Sequence, residues 1–375
     1  MDRGRSSRAP ARPPPRAAAP RVADRGFLRR LGAASSDRFL LGVLYHRSHS
    51  WKGEEKSTRL RPLFAAPKSL SSAGSAALPN TVVARLSAEL AGPYEPVASR
   101  GGLLVLKRGQ YFDTSLRVCD PVAGRSYVLP PRRISDDLHV VMPEDSEGGG
   151  AGKAFKVLIA DSDLRTQTYS SRAGAWGPVT HTAERVPGHY EQVQPSQVVL
   201  GGVAHWLYHQ GGTRLYSALA LDVGTGQAAW IEVPRDCHLR RRELLLASSA
   251  DGELALLVWE GPLAVCMWTV PPSAGADPGS GRSWARRVVI DRAAILRSVR
   301  PIFSPLACQR IDFQWFAEGS GTVVFHLNSA GTVLLNLHTL EVRHLQRSHF
   351  IEIYDFSPLC VYELDLVSLL PSTSR

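Results

Sequence analysis

Two stretches of this sequence hold residue types that could bind phosphate. One is the run GGGAGKA at residues 148–154, which approaches the phosphate-binding loop motif G-x-x-x-x-G-K-[ST]. Glu147 stands where that motif needs its first glycine, and Ala154 stands where it needs a hydroxyl residue. Glu144 and Asp145 would add further repulsion of a phosphate group. We therefore expect a loop here and no nucleotide site.

The second stretch, residues 224–229, spells G-x-G-x-x-A directly after an apolar run, as in dinucleotide-binding folds. That fingerprint requires a helix next, whose N-terminus meets the pyrophosphate. The residues that follow, WIEVP at 230–234, are short, contain β-formers and end in proline. They predict a strand, and the stretch is interpreted as a β-hairpin.

His205 and His209 would lie on the same side of either a helix or a strand, and so could be two metal ligands. No His-Glu-x-x-His motif and no adjacent cysteine or carboxylate supplies the remaining ligands. We expect His205 to pack at a sheet edge and His209 to lie in a loop. No G-x-S-x-G nucleophile elbow occurs either. The sequence thus predicts no enzyme, no catalytic residue, no metal site and no cofactor.

Charge and hydropathy set limits on the class of protein. The longest apolar run, from Leu254, is broken by Glu260-Gly-Pro262, so no membrane span is predicted. The formal net charge of +10 comes entirely from residues 1–62, which hold 15 basic and 5 acidic residues. Because the remaining chain is neutral, the basic character belongs to the N-terminus alone.

The five cysteines are odd in number and far apart, and none forms a C-x-x-C pair. Cys119, Cys266 and Cys360 lie in apolar runs, where a free thiol behaves as a small hydrophobic group, and the other two are Cys237 and Cys308. Reduced thiols predict a cytoplasmic or nuclear protein.

The N-terminal third divides into three segments. Residues 1–21 form a leader rich in arginine and proline, which predicts disorder, with an organelle transit peptide as the alternative. In residues 22–45, Phe27, Leu28 and Leu31 are spaced for one helix face, and a strand is expected from Phe39. Residues 46–96 are interpreted as a linker and the start of the main domain.

A repeated hairpin governs residues 97–375. Asp120-Pro-Val-Ala-Gly124 joins two short apolar runs, and its residue types predict a type I turn. The pattern returns at residues 200–234 and more weakly from Gly321, with strand-rich units starting about every 50 residues. No long amphipathic helix alternates with the strands. The pattern predicts an all-β protein, a β-propeller of about six four-stranded blades, after a short helical N-terminal remnant. The eight tryptophans, most of which lie in strand runs, are expected to pack between blades.

These residues also carry a family resemblance. Four motifs follow one another in a fixed order: a Gly-Gly apolar run, the Asp120 turn, a Tyr-Ser-Ser stretch with its tryptophan at residues 169–176, and a second Gly-Gly run at residue 201. This order resembles the kelch-like, F-box-associated propeller domain of plant F-box proteins. The likeness is clearest over residues 97–300. It implies the target-binding arm of an SCF-type ubiquitin ligase, a substrate receptor whose F-box docks on a Skp-type adaptor.

The F-box itself is represented only by residues 22–31, and the Leu-Pro helix and the Cys-x-x-Arg-Trp stretch of the family are missing. We therefore expect docking on the Skp-type adaptor to be weak or absent, with Phe27, Leu28 and Leu31 as its remnant. The prediction is a protein-recognition subunit that binds a protein target through its loops. The alternative is a propeller that binds nucleic acid or chromatin through its basic tail.

Antiparallel strands reverse at each turn, so connections alternate between the two faces of a propeller. The connections opposite the Asp120 turn are long and varied, and loops on a rigid scaffold commonly carry recognition. We predict a protein-binding face there. Its candidate residues are Lys107, Arg108, Tyr111, Arg132, Arg133, His209, Arg214, Arg235, His238, Arg240, Arg241 and Arg242.

Overall fold

The structure is a computed structural model of the chain. It describes residues 39–47, 59–65, 77–90, 93–109, 114–135, 137–144, 153–182, 184–193, 196–213, 215–234, 243–261, 264–269, 284–299, 311–327, 331–346 and 360–365. The predicted leader, the adaptor remnant with Phe27, Leu28 and Leu31, and the glycine-rich loop after Glu144 lie outside these residues.

Antiparallel strands form five sheets of four or five strands, each built from consecutive strands. The first sheet contains β3 (Glu95–Arg100), β4 (Leu103–Arg108), β5 (Ser115–Asp120) and β6 (Arg125–Val128). The second contains β7 (Leu138–Glu144), β8 (Ala154–Ala160), β9 (Thr166–Ser170) and β10 (Ala175–Trp176). The third contains β11 (Tyr190–Gln192), β12 (Val198–Leu200), β13 (Val203–Gln210), β14 (Tyr216–Asp222) and β15 (Ala228–Glu232).

The fourth sheet contains β16 (Leu244–Ser248), β17 (Leu254–Glu260), β18 (Ala264–Thr269) and β19 (Ala285–Asp291). The fifth contains β20 (Ile311–Ala317), β21 (Thr322–Leu327), β22 (Gly331–Asn336) and β23 (Val342–Gln346). The first strand of one sheet contacts the first strand of the next, as in the pairs β3 with β7 and β16 with β20. The first strands are therefore innermost, and the sheets are the blades of a β-propeller.

A sixth, three-stranded sheet joins two distant parts of the chain. Its strands are β1 (Phe39–Arg47), β2 (Arg59–Ala65) and β24 (Cys360–Asp365), in the order β2-β1-β24. Strand β24 contacts both β20 and β3, the innermost strands of the fifth and first blades. The all-β propeller prediction is confirmed, but the predicted number of about six blades was wrong: the described residues form five blades of four or five strands. The repeat in the sequence could not show this, because the three-stranded sheet that fills the rest of the ring is built from segments about 300 residues apart.

The predicted hairpin turns are confirmed. In the first blade, Asp120 Oδ1 accepts hydrogen bonds from the two backbone amides after Pro121, at 3.1 and 3.0 Å, and Gly124 has φ of 66°. In the third blade, Asp222 Oδ1 accepts the equivalent bonds at 2.9 and 2.7 Å, and Gly226 has φ of 73°. Residues 224–229 therefore form a turn and the start of β15, as predicted, and not a dinucleotide site.

Two helices are described, α1 (Ala77–Leu90) and α2 (Arg292–Val299). Helix α1 lies inside the predicted linker, as does β2. It buries Val82 and Leu86, and the Arg85 guanidinium donates to the carbonyl oxygens of Pro121 and Val122 at 3.0 and 2.5 Å. The helix therefore covers the outer edge of the first blade. Neither described helix has the length and apolar character that crossing a membrane requires.

Tryptophans connect neighbouring blades, in agreement with the prediction. Trp176 of the second blade donates its indole N–H to the Pro130 carbonyl after the first blade, at 2.7 Å. Trp284, just before β19 of the fourth blade, donates to the Glu232 carbonyl of the third, at 3.0 Å. These bonds satisfy the only polar group of each ring while its apolar surface packs against the core.

Three of the five cysteines lie within the described residues, and each is a buried free thiol, as predicted for Cys119, Cys266 and Cys360. Burial raises the pKa of Cys119 to about 12 and that of Cys266 to about 11. Their thiols therefore stay protonated and unreactive at neutral pH. Cys237 and Cys308 lie outside the described residues.

Candidate functional site

A cavity of about 390 Å³ lies at one end of the innermost strands. All six sheets contribute to its wall, so it must lie on the central axis of the propeller. Its lining includes Ser99, Arg100, Pro143, Gln197, Val199, Ser248, Trp315, Phe316, Glu318, Val361 and Glu363. Its volume is in the range of sites for small molecules, about 300 to 1,000 Å³.

The strand register shows at which end of the propeller the cavity lies. Arg100, at the end of β3, pairs with Leu103, and the Asp120 turn joins the adjacent strands at the same end. Lys107 and Arg108 lie at the opposite end of β4. The cavity therefore opens towards the face of the Asp120 turns and away from the predicted protein-binding face.

An ion pair connects three blades across the cavity. The Arg100 guanidinium in the first blade lies 3.2 Å from the carboxylate of Glu318, which follows β20 in the fifth blade. In the third blade, the Val199 amide donates to Glu318 Oε1 at 2.6 Å, and its carbonyl accepts from Arg100 at 3.3 Å. Both charged groups are thus held in position by the same backbone residue.

A second carboxylate, that of Glu363, joins the closing strand β24 to the fifth blade. It accepts hydrogen bonds from the Gly319 and Ser320 amides at 2.7 and 2.6 Å. Its own carbonyl accepts from the Gly102 amide at 3.0 Å, and the buried Tyr362 hydroxyl donates to the Gly102 carbonyl at 3.1 Å. These contacts connect the first and fifth blades through β24.

Burial changes the protonation of Glu318. Desolvation raises the pKa of this carboxyl to about 7, with a further increase from the nearby negative charge of Glu363. The positive charge of Arg100 and the Val199 amide act in the opposite direction. Glu318 therefore changes its charge near neutral pH, which an ordinary glutamate does not do.

Two polar groups of the lining have no hydrogen-bond partner. Gln197 Oε1 and Ser99 Oγ are buried and unbonded, and Gln197 as a whole is 6% exposed. Gln197 precedes β12, where the innermost position of the third blade is divided between the short strands β11 and β12. A buried polar group without a partner is costly, so such groups are commonly completed by water or a ligand.

The structure describes five of the predicted protein-binding residues, and all lie at the end opposite the cavity. Arg108 and Arg133 are exposed, and Lys107 is half-buried beside Arg108. The Arg132 guanidinium donates to the Thr114 carbonyl at 3.1 Å and to its hydroxyl. His209 lies at the end of β13, with Nε2 2.8 Å from the Thr213 carbonyl oxygen. The other seven, Tyr111, Arg214, Arg235, His238, Arg240, Arg241 and Arg242, lie outside the described residues.

His205 is buried, with Nδ1 3.2 Å from the Val198 carbonyl oxygen, and burial lowers its pKa. Its burial agrees with the predicted packing role, but His205 lies in β13 between β12 and β14 and not at a sheet edge. The prediction of a loop at His209 was wrong, because that residue belongs to the same strand. The described part of the chain contains no group of three or more histidine, cysteine, aspartate or glutamate side chains placed to hold a metal ion.

Sequence reasoning missed the cavity residues. Glu318 lies about 220 residues after the adjacent Ser99 and Arg100, and the three residues belong to no motif. The available signal was positional: Arg100 ends β3 and Glu318 follows β20, which are the first strands of their blades, and each directly precedes a glycine-containing turn. In a ring of blades, those turns must converge on the axis.

Solved structures that resemble this chain have low similarity to it. A puromycin-hydrolyzing peptidase of Mycobacterium tuberculosis aligns with 15% identity and a TM-score of 0.36, over 68% of this chain and 38% of the peptidase. TolB of Acinetobacter baumannii aligns with 10% identity and a TM-score of 0.37, over 88% and 67%. A quinonprotein alcohol dehydrogenase-like protein of Bacteroides thetaiotaomicron aligns with 9% identity and a TM-score of 0.35, over 68% and 54%.

The chain thus spans less than two thirds of the peptidase and of the dehydrogenase-like protein. At these values the similarities carry no argument about function. Among proteins with curated descriptions, none matches the chain. One family model, described as Domain of unknown function (DUF7595), matches residues 64–374, and the chain therefore belongs to this family.

Proposed function

We propose that this chain is a non-catalytic protein-recognition domain, which binds a target protein through the face opposite the cavity. A β-propeller is compatible with such a role, because its packed blades hold surface loops in fixed relative positions. The finer part of the proposal, that the target is selected for ubiquitination, rests on the resemblance to plant F-box propellers.

The observation that carries the proposal is the position of Arg108 and Arg133. Both side chains are exposed. Arg108 ends β4, and Arg133 lies between β6 and β7, where its backbone amide donates to Gln167 Oε1 of the second blade at 3.0 Å. Two arginines are thus presented at the same end of the propeller by well-anchored backbone. Arginine is enriched in protein interfaces and pairs well with carboxylates, so the expected target surface is acidic.

The test reverses these charges in the full chain. An Arg108→Glu, Arg133→Glu double variant should lose the proteins that proximity labelling identifies around the wild type. Arg125→Glu is the matched control, because Arg125 is an exposed arginine of the same blade, at the end with the Asp120 turn. If the double variant and the control label the same proteins as the wild type, this face is not the recognition face.

The ligase part of the proposal needs a separate measurement. Purified Skp-type adaptor should bind the full chain weakly or not at all, because only Phe27, Leu28 and Leu31 offer suitable apolar spacing. A specific interface commonly buries about 800 Å² on each partner. Submicromolar binding that disappears with Phe27→Ala would contradict the expectation of weak docking and strengthen the ligase assignment.

The nucleic-acid alternative predicts a different result. Deleting residues 1–21 would abolish a salt-dependent interaction with nucleic acid, because phosphate contacts release counterions. Protein recognition by the Arg108 and Arg133 face would survive that deletion.

A further inference from the structure

A serine lies in a linker that crosses the proposed recognition face. Residues 129–137 form neither helix nor strand and connect β6 of the first blade with β7 of the second. Because β6 ends and β7 begins at the end opposite the cavity, the linker lies on that face. Ser135 is half-buried in it, whereas Arg133 and Asp137 are exposed. The serine is therefore on the same surface as one of the two arginines of the recognition face.

The residues before Ser135 have a distinctive order. Arg132 and Arg133 occupy the third and second positions before it, and no other serine or threonine of the chain has arginine at both positions. Such a segment suits an extended substrate groove lined with carboxylates, because a guanidinium pairs with a carboxylate through two parallel hydrogen bonds. A protein kinase that selects basic substrates offers a groove of this kind next to its catalytic centre.

We propose that Ser135 is phosphorylated by a protein kinase that selects basic substrates, and that the phosphate weakens target binding by the recognition face. In the transfer, Ser135 Oγ forms a bond to the γ-phosphorus of ATP, and the bond between that phosphorus and the bridging oxygen of ADP breaks. The hydroxyl proton passes to the catalytic aspartate of the kinase. The effect on target binding rests on the proposed function, and the modification itself does not.

A phosphate at Ser135 would change the charge of this face. It adds about 1.5 to 2 negative charges at neutral pH, together with three strong acceptor oxygens. Arg133 is anchored through its backbone amide, which donates to Gln167 Oε1 at 3.0 Å, so its exposed side chain is available to pair with the phosphate. An acidic target would then lose the charge of Arg133 and would also be repelled by the phosphate.

Access for the kinase requires a local opening of the linker. Ile134 is only 7% exposed, and the Arg132 guanidinium donates to the Thr114 carbonyl at 3.1 Å. Both contacts must break before the segment can lie extended in a groove, while the blades themselves stay folded. The full chain should therefore be phosphorylated about ten- to a hundredfold more slowly than a peptide of residues 129–138, because Ile134 must leave its buried position.

The primary experiment incubates the folded full chain with ATP and the catalytic subunit of cyclic-AMP-dependent protein kinase, which selects basic substrates. Mass spectrometry must assign the phosphate to individual residues, because Ser6 and Ser7 also lie next to arginines. We expect phosphate on Ser135 and on the peptide of residues 129–138. Phosphate on the peptide but none on Ser135 of the folded chain would overturn the proposal, and so would a peptide that is not a substrate.

A variant tests whether the arginines direct the kinase to this serine. Arg133→Ala should lower the rate of phosphorylation at Ser135 about tenfold, the usual order of effect when one charge-assisted contact is removed. Arg125→Ala is the matched control, because Arg125 is an exposed arginine of the same blade outside the linker, and it should leave the rate unchanged. Equal rates in the wild type and in Arg133→Ala would refute the selection of Ser135 by its arginines.

The effect on target binding needs a second measurement. In proximity labelling, Ser135→Glu should lose the same proteins as the Arg108→Glu, Arg133→Glu double variant. Ser126→Glu is the control, because Ser126 is an exposed serine in β6, near the end with the Asp120 turn. If Ser135→Glu keeps the proteins that the double variant loses, the phosphate does not control this face. If both keep them, the proposed function is refuted together with this control of binding, and the acceptor site still stands on the kinase result.

Discussion

Replacing Tyr362 with phenylalanine tests how the propeller ring is closed. Tyr362 is fully buried in β24, and its hydroxyl donates to the Gly102 carbonyl in the turn between β3 and β4. Burial raises the pKa of this phenol, so it stays protonated and remains a donor. The substitution removes one hydrogen bond between the closing strand and the first blade and leaves a carbonyl without that partner.

The expected loss in free energy of unfolding is about 1 to 2 kcal/mol, the usual cost of deleting one partner of a buried hydrogen bond. Urea unfolding followed by tryptophan fluorescence measures it as a lower midpoint at an unchanged slope. Tyr127→Phe is the control, because Tyr127 is a half-buried ring that packs on Phe155, and its change should stay within about 0.5 kcal/mol. If Tyr362→Phe is no more destabilising than Tyr127→Phe, the bond to Gly102 does not hold the ring closed.

Two further predictions concern the inter-strand turns and the thiols. Gly101 and Gly201 occupy equivalent turns with φ of 58° and 55°, but an added Cβ would lie 2.7 Å from the Pro143 ring at Gly101 and meet nothing within 4 Å at Gly201. Gly201→Ala should therefore lower the free energy of unfolding by about 1 kcal/mol, from backbone strain alone. Gly101→Ala should lower it by about 1 to 3 kcal/mol more, because the added methyl group overpacks against Pro143. Equal urea midpoints for the two variants would refute the contact with Pro143. Cys119 and Cys266 should resist iodoacetamide in the native protein at pH 8 and react after unfolding, because burial raises the pKa of both thiols well above 8. The protein is labelled in its native state, then digested and analysed by mass spectrometry. Rapid labelling of either cysteine would contradict its burial.

The hairpins could be predicted from sequence because their information is local. An aspartate that accepts two backbone amides and a glycine with positive φ specify the turn at Asp120 and again at Asp222. Helix α1 was missed although Val82, Leu86 and Leu90 have helical spacing, because the preceding residues, rich in serine and alanine, favoured a loop interpretation.

The cavity was less accessible to sequence reasoning. Charged residues in long loops drew attention to the opposite face, whereas Arg100 is the last residue of β3 and Glu318 directly follows β20, and neither belongs to a motif. Arg100 and Glu318 lie close together only because of the number of sheets that complete the ring, and no local pattern in the sequence encodes that number. The pairing of Glu318 with Val199, in a third blade, is likewise a property of the closed ring only.

The pairing of β1 with β24 has a consequence for synthesis of the chain. Strand β1 leaves the ribosome early, but the partner on its second edge follows about 300 residues later. At roughly 5 to 20 residues per second, that edge stays open for about 15 to 60 seconds. During this interval it presents unpaired backbone groups to any other nascent chain, which is the usual starting point for strand exchange and aggregation. Translation speed and chaperone supply should therefore affect the yield of this protein, because both change how long that edge stays open or how well it is covered.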